Sequence, residues 1–257
     1  MNNVKISIIT VCYNASSVIE DTILSVINQT YCNKEYIIID GDSNDGTVDI
    51  IKKYEDHIDN WISEPDNGIF DAMNKGIRMA SGEWINMMNA GDRFFSEFVL
   101  EDIFSKAYPQ TIQFLYSDCE MRFPNGINYI RNASEEEGNI FHQASIYKKK
   151  LHEVYGYYCV KNHLVMSDAL FFNLIPSNLY YRVPVIIASY DMGGTSVQNI
   201  SCRIQIACIK YIFHKISLTD FVKRIIRGYF LSLIPEQFTN KARKIKNKWK
   251  LFIYKKK

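Results

Sequence analysis

Ser7-Ile8-Ile9-Thr10-Val11-Cys12-Tyr13-Asn14, then Ser17-Val18-Ile19-Glu20, then Tyr36-Ile37-Ile38-Ile39-Asp40: these three stretches decide the fold. Val4, Ile6 and Ile8 alternate and merge into an unbroken apolar run, the mark of a strand buried on both faces. The period then changes. Ile19, Ile23, Val26 and Ile27 recur at helical spacing, and Ser17 with Glu20 has the spacing of a capping box, so residues 17–29 are expected to form an amphipathic helix. Residues 36–40 read as a second buried strand that ends in the turn-rich Gly41-Asp42-Ser43-Asn44-Asp45-Gly46.

The alternation continues outward. A helix is expected over 47–54, a strand over 58–62, a helix marked by Ile69, Ala72, Met73, Gly76, Ile77 and Ala80, and a strand over 83–88. Strands alternating with helices specify an α/β fold with a mostly parallel sheet, whose ligands gather at the carboxyl ends of the strands. Those ends are Cys12-Tyr13-Asn14, Asp40-Gly41-Asp42 and Asn89-Ala90-Gly91-Asp92, all polar. Beyond residue 114 the pattern loosens. A strand is expected over 114–118, a hairpin around Pro124-Asn125-Gly126, an acidic loop over 134–139, a strand over 141–147, helices near 148–155 and 163–175, and a strand over 185–190.

The 257 residues carry 30 Lys and Arg against 28 Asp and Glu, a formal charge of +2. That sum hides two unlike segments. Residues 1–200 hold 15 basic and 26 acidic side chains, a net −11, whereas residues 201–257 hold 15 basic and 2 acidic, a net +13. The sequence therefore divides into a body over 1–200, with a first half to about 115 and a second from 116, and a basic helical extension over 201–257. With 47% hydrophobic residues the body is long and apolar enough for a sizeable core. No run reaches the roughly 18–20 apolar residues of a membrane-spanning helix, and the amino terminus enters a strand pattern directly, so a cytoplasmic setting is expected. The six cysteines form no Cys-x-x-Cys pair, which disfavours a disulfide framework or a structural zinc site.

Several chemistries fail on spacing. Asp40-x-Asp42-x-Asn44 matches the start of a calcium loop, but the sixth position is Asp45 rather than Gly and the twelfth is Ile51 rather than Glu. Neither a dinucleotide Gly-x-Gly-x-x-Gly nor a phosphate-loop Gly-x-x-x-x-Gly-Lys follows the first strand. A sugar nucleotidyltransferase would need a Gly-rich loop with Arg and Lys where Tyr13-Asn14-Ala15-Ser16 stands.

As an ordered set, the strand ends and their neighbours resemble a known family. The set comprises Ser7 to Asn14, Gln29-Thr30-Tyr31, Glu35 to Gly41, Ser43-x-Asp45-Gly46-Thr47, Ser63-Glu64-Pro65-Asp66-x-Gly68-Ile69-x-Asp71-Ala72-Met73-Asn74-Lys75-Gly76, and Asn89-Ala90-Gly91-Asp92. It is similar to the inverting nucleotide-sugar transferases of glycosyltransferase family 2. His142-Gln143, Ser167-Asp168 and Asp191-Met192-Gly193-Gly194-x-Ser196 resemble later features of the subgroup that builds bacterial exopolysaccharide, O-antigen and colanic acid.

The resemblance implies the GT-A fold, a nucleotide-sugar donor and a divalent metal, Mg²⁺ or Mn²⁺, beneath the diphosphate. The family's Asp-x-Asp at the fourth strand is replaced here by Asn89-Ala90-Gly91-Asp92, which leaves Asp92 as the expected metal ligand unless it caps the following helix. Tyr13 is expected against the nucleobase, or half-buried as a core aromatic. Asp40 is expected to accept from base or ribose. Asp42 stands in reserve because the family often has a second Asp where Gly41 sits, and it reads equally as a solvated turn residue. Asp66, Asp71, Asn74 and Lys75 open a helix whose amides and Lys suit phosphate or ribose oxygens, although Asp71 there also favours the helix dipole. Resemblance assigns the catalytic base to Asp168, otherwise a surface helical Asp, and gives His142 a role toward acceptor or diphosphate, otherwise that of a structurally bonded histidine.

The extension adds a partner. From Phe221 the apolar residues Val222, Ile225, Ile226, Tyr229, Phe230 and Leu233 share a face opposite Lys223, Arg224 and Arg227. Residues 241–257 carry nine Lys or Arg and no acid, with Ile245, Trp249, Phe252 and Ile253 at helical spacing. A basic helix with an apolar stripe over 221–257 suits an anionic membrane surface, and the acidic body argues against nucleic acid. A lipid-linked glycan acceptor at the inner face of the cell membrane joins the two segments. The rival class is a non-catalytic membrane-surface protein with a GT-A-like body.

Overall fold

The computed structural model describes residues 4–123, 126, 128–160, 166–193 and 200–233. It forms two compact units, residues 1–197 and 198–257. The expected turn at 124–125, Gly194-x-Ser196 and the basic stretch 241–257 lie outside the described residues.

In the first unit, β1 (Ile6–Cys12) is buried at every position and lies between β2 (Lys34–Asp40) and β4 (Trp84–Met87). β3 (Asn60–Ser63) extends the sheet beyond β2. All three pairings are parallel. The alternation of β1 explains its central place. Ile6 and Ile8 join one apolar layer with Ile19, Ile23 and Val26 of α1 (Ile19–Ile27), and Ile9 and Val11 join another with Met73 and Ile77 of α3 (Ile69–Met79). Each such side chain contributes about 1.5–3 kcal/mol on burial. Gly76 is part of this fit, because a Cβ there would run into the Ile9 side chain and push α3 off β1.

α2 (Thr47–Lys53) lies between β2 and β3 in the chain. From β3 the chain returns to the opposite side of β1, giving the spatial order β3-β2-β1-β4. The connections therefore reverse direction between β1 and β4, and the crevice at such a reversal is where open α/β sheets bind ligands.

Beyond β4 the sheet is mixed. β9 (Ser145–Lys148) inserts antiparallel between β4 and β6 (Phe114–Tyr116), and β10 (Tyr180–Arg182) closes the far edge. β5 (Arg93–Phe94), β11 (Ala188–Asp191), β7 (Cys119–Arg122) and β8 (Asn128–Arg131) make a second, four-stranded sheet. β7 and β8 pair antiparallel as the sequence predicts. The shorter helices are α4 (Val99–Phe104), α5 (Leu151–Tyr155) and α6 (Ser167–Leu174).

One expectation about α1 is corrected. Val18 occupies the N-cap, no side chain caps the helix, and Glu20 instead pairs with Lys53 at 2.7 Å and accepts from the Tyr54 hydroxyl. A partner on α2 has outcompeted the local box.

In the second unit, α7 (Ile200–Ile212) and α8 (Leu218–Leu233) are joined by a short turn. Leu218, Val222, Ile226, Tyr229 and Phe230 of α8 are exposed, and Tyr211 stacks on Phe221. No helix among the described residues is long and apolar enough to cross a membrane.

Candidate functional site

The rim is held by hydrogen bonds between the loops that follow β1 and β2. Asn14 adopts φ +47° and donates its N–H to Ser43 Oγ at 2.7 Å, while its Oδ1 accepts from the Asn44 N–H. Asp45 accepts from the Thr47 hydroxyl at 2.5 Å and from the Ser16 N–H at 3.0 Å, and these bonds hold its carboxyl far below the usual range. Thr47 in turn accepts from the Ala15 N–H.

Asp40 is completely buried. Its oxygens accept from the Ser43 N–H, the Ser43 hydroxyl and the Ser63 hydroxyl at 2.9, 2.5 and 2.7 Å. Cys12 lies 3.4 Å away, its thiol pushed far up by burial and then by this carboxylate. Contrary to the expectation, Asp40 shows no face to a base or ribose; it ties β2 to β3 beneath the rim. Tyr13 is 65% exposed, so it is not a core aromatic. Asp42 is exposed at φ +68°.

The start of α3 divides the expected nucleotide-sugar residues. Asp71 accepts from the Asn67 N–H and side-chain amide at 3.0 and 3.2 Å. Lys75 donates to Pro65 O at 2.9 Å and pairs with Glu64 at 2.7 Å, bracing the loop before Asp66. Asn74 departs from its expected role: it is 2% exposed, and its amide bonds both the C=O and the N–H of Tyr158, at 2.8 and 3.0 Å. It fastens the 156–160 segment to α3.

After β4 a chain of polar groups converges. Asn89 Nδ2 is 3.0 Å from His142 Nε2, and His142 Nδ1 is 2.8 Å from Asp168 Oδ2 in the first turn of α6. With Nδ1–H donated to the carboxylate, Nε2 accepts from the Asn89 amide. Asp168 Oδ1 takes the Ala169 N–H at 2.8 Å, and Asn89 Oδ1 is buried without a partner. The structure thus brings together His142 and Asp168, which lie 26 residues apart. The Asn89 end of this chain is a residue the sequence offered only as part of the stretch that replaces the family's Asp-x-Asp.

Asp92 is engaged elsewhere. It is 5% exposed, with Oδ1 accepting from the Asp191 N–H at 2.8 Å and Oδ2 from Gln143 Nε2 at 2.7 Å. Burial pushes its carboxyl up to about 6 against the pull of those two donors. Among the described residues no three His, Cys, Asp or Glu side chains cluster to hold a metal. The expected metal role of Asp92 therefore does not fit: both oxygens already link the end of β4 to β11 and to the turn that carries His142. Asp191 sets its own Oδ2 over Gly91, 3.3 Å from where a Cβ would stand. It borders a cavity of about 290 Å³ that Arg122, Ser17 and Asp21 also line.

The sequence profile of glycosyl transferase family 2 matches residues 7–163, more than half of the chain. The chain belongs to that family. Among curated relatives, an uncharacterized glycosyltransferase of Mycobacterium tuberculosis, Rv1514c, is 40% identical over 90 residues, 35% of this chain and 34% of the relative. The match thus spans about a third of that relative's length. The PGL/p-HBAD biosynthesis glycosyltransferase Rv2957 of the same organism is 28% identical over 74% of this chain and 78% of its own. The putative teichuronic acid biosynthesis glycosyltransferase TuaG of Bacillus subtilis is 39% identical over 35% of this chain and 36% of its own.

Solved structures agree on the fold. TarS 1-349 of S. aureus in complex with UDP-GlcNAc gives a TM-score of 0.66 at 16% identity, over 88% of this chain and 71% of that one. The mannosyltransferase PcManGT of Pyrobaculum calidifontis, in complex with GDP-Man and Mn²⁺, gives 0.64 at 14% identity, over 88% and 69%. The body accordingly has the GT-A fold.

Proposed function

We propose that the chain is an inverting glycosyltransferase that moves a sugar from a nucleotide-sugar donor, a UDP-sugar, to a growing lipid-linked glycan of the cell surface. The observation that carries this reading is the Asn89–His142–Asp168 chain at the β4 side of the sheet reversal, with the open Tyr13 ring at the end of the neighbouring strand β1. In a single displacement the acceptor oxygen attacks the anomeric carbon and the bond to the diphosphate breaks with its electron pair. The acceptor proton passes to a carboxylate. Asp168, held by His142, is the base in this reading, with His142 fixing the orientation of the carboxylate.

Tyr13 serves as the platform for the base. Lys75 and Asp71 shape the loop beside it, and Asp42, exposed at the same rim, remains open to the ribose. A divalent metal, Mg²⁺ or Mn²⁺, is the cofactor that the family's chemistry suggests for a departing diphosphate. Because Asp92 is committed to Asp191 and Gln143, no step here is routed through a metal.

Membrane association is supported by α8, where exposed Leu218, Val222, Ile226, Tyr229 and Phe230 accompany Lys223, Arg224 and Arg227. We infer a peripheral position at the inner face of the cell membrane, where a lipid-linked acceptor is presented. A panel of UDP-, GDP- and dTDP-sugars with and without Mn²⁺, read by thermal shift, tests the donor class. Stabilisation by a nucleotide sugar is expected, and indifference to the whole panel would contradict the proposal.

A further inference from the structure

The cavity beside Asp191 is a polar space that the displacement does not use. It measures about 290 Å³, close to the lower end of small-ligand sites, and lies between the start of α1, the turn after β4 and the ends of β7 and β11. Asp92 ties it to the base, since its oxygens take the Asp191 N–H on one side and the amide of Gln143, next to His142, on the other.

The charges that line this cavity are left unpaired. Arg122 and Asp191 are register partners on β7 and β11, and both border the space, yet they form no ion pair among the described residues. Arg122 donates from one nitrogen to Gly91 O at 2.5 Å, and its Nε is buried without a hydrogen bond. Asp191 Oδ1 accepts from the Gly193 N–H at 2.9 Å, whereas Oδ2 lies over Gly91 and receives no hydrogen bond from the described residues. From α1, Asp21 adds an exposed carboxyl group with neither a hydrogen bond nor an ion pair among the described residues, and Val18 and Phe123 add apolar surface.

Groups of both signs held apart around one space suit a ligand that donates and accepts at the same positions. A hydroxyl does both: its O–H serves a carboxylate and its lone pairs serve a guanidinium. Adjacent hydroxyls on a ring satisfy Arg122, Asp191 and Asp21 together, with the C–H face of the ring against Val18 and Phe123. A phosphate or a uronic acid would meet two carboxyl groups for one guanidinium.

We propose that this cavity binds a neutral sugar ring of the acceptor glycan, other than the ring that reacts. The assignment rests on the glycosyl-transfer reading above and adds to it a second point of hold on the acceptor and a preference for an uncharged sugar there.

The test is a saturation-transfer NMR titration of the full chain with the methyl glycosides of glucose, galactose, mannose, rhamnose and N-acetylglucosamine, with methyl glucuronide and with inorganic phosphate. Wild type, Asp21→Ala and Arg122→Gln are compared, with thermal unfolding of each as a control for folding; Asp21 is exposed, so its variant tests the site even if Arg122→Gln unfolds. At least one neutral glycoside should bind wild type about tenfold more tightly than the glucuronide or phosphate. Each substitution should weaken that binding about fivefold or more, and the nucleotide sugar selected by the thermal-shift panel should leave it in place. Absence of glycoside binding, equal binding in the variants, tighter binding of glucuronide or phosphate, or displacement of the glycoside by the nucleotide sugar would overturn the assignment; nucleotide-sugar binding by the same protein would leave the donor reading standing. A glycoside bound as expected by a protein that binds no nucleotide sugar would strike the donor reading alone.

Discussion

Replacing Asp92 by Asn should change how stability depends on pH, and the burial of its carboxyl sets the sign. Burial raises the Asp92 carboxyl from 3.8 to about 6. Between those values the folded protein keeps a proton that the unfolded chain has released. The stability this group contributes is therefore full below pH 3.8 and is lost as pH rises through 6, by about 3 kcal/mol. His152 does the reverse. Buried beside Phe171, it is pushed from 6.5 down to about 4, so its contribution is present above pH 6.5 and disappears as pH falls toward 4, by a similar ~3 kcal/mol.

In wild type the two slopes oppose each other. Asn at position 92 is isosteric and neutral. Its oxygen still accepts from the Asp191 N–H, and Gln143 turns its amide to present oxygen to the new NH₂. The variant should then gain about 3 kcal/mol relative to wild type between pH 4 and pH 7. Urea unfolding across this range, followed by the fluorescence of Trp61 and Trp84, measures it. A stability difference between the two proteins that is the same at pH 4 and pH 7 would refute the placement of a buried, proton-holding carboxyl at this joint.

Two further outcomes follow from contacts described above. Asn74→Ala strands the N–H and C=O of Tyr158 and should cost about 2–5 kcal/mol in urea unfolding, whereas a ligand-facing Asn74 would cost little stability. Ile226→Glu with Tyr229→Glu should weaken flotation of the full chain with anionic vesicles at least about tenfold, and unchanged binding would remove α8 as the contact.

The half of the fold around β1 to β4 was legible because β1 and β2 are rich in buried Ile and Val and α1 and α3 repeat at helical period. The rest was hidden for physical reasons. β5 has two residues and β10 three, too short for any period, and the antiparallel entry of β9 beside β4 depends on a long-range pairing with no local signal. Site residues were legible as polar positions at strand ends, but their roles were not. Asp40, Asn74 and Asp92 carry the residue types of a ligand site, yet each spends its hydrogen bonds inside the protein, which only the three-dimensional neighbours reveal. The His142-Gln143 pair was the one available hint, since adjacent side chains there reach different carboxylates, Asp168 and Asp92.

The central claim is that Asp168 takes the acceptor proton in a single displacement. The most direct measurement is the turnover of a UDP-sugar by wild type and Asp168→Asn, with donor affinity determined for both and the anomeric configuration of the product read by NMR. Inversion at the anomeric carbon, a loss of turnover of about 10²–10⁴-fold and unchanged donor affinity are expected. Near-wild-type turnover in the variant, or a product that retains the donor's configuration, would contradict it.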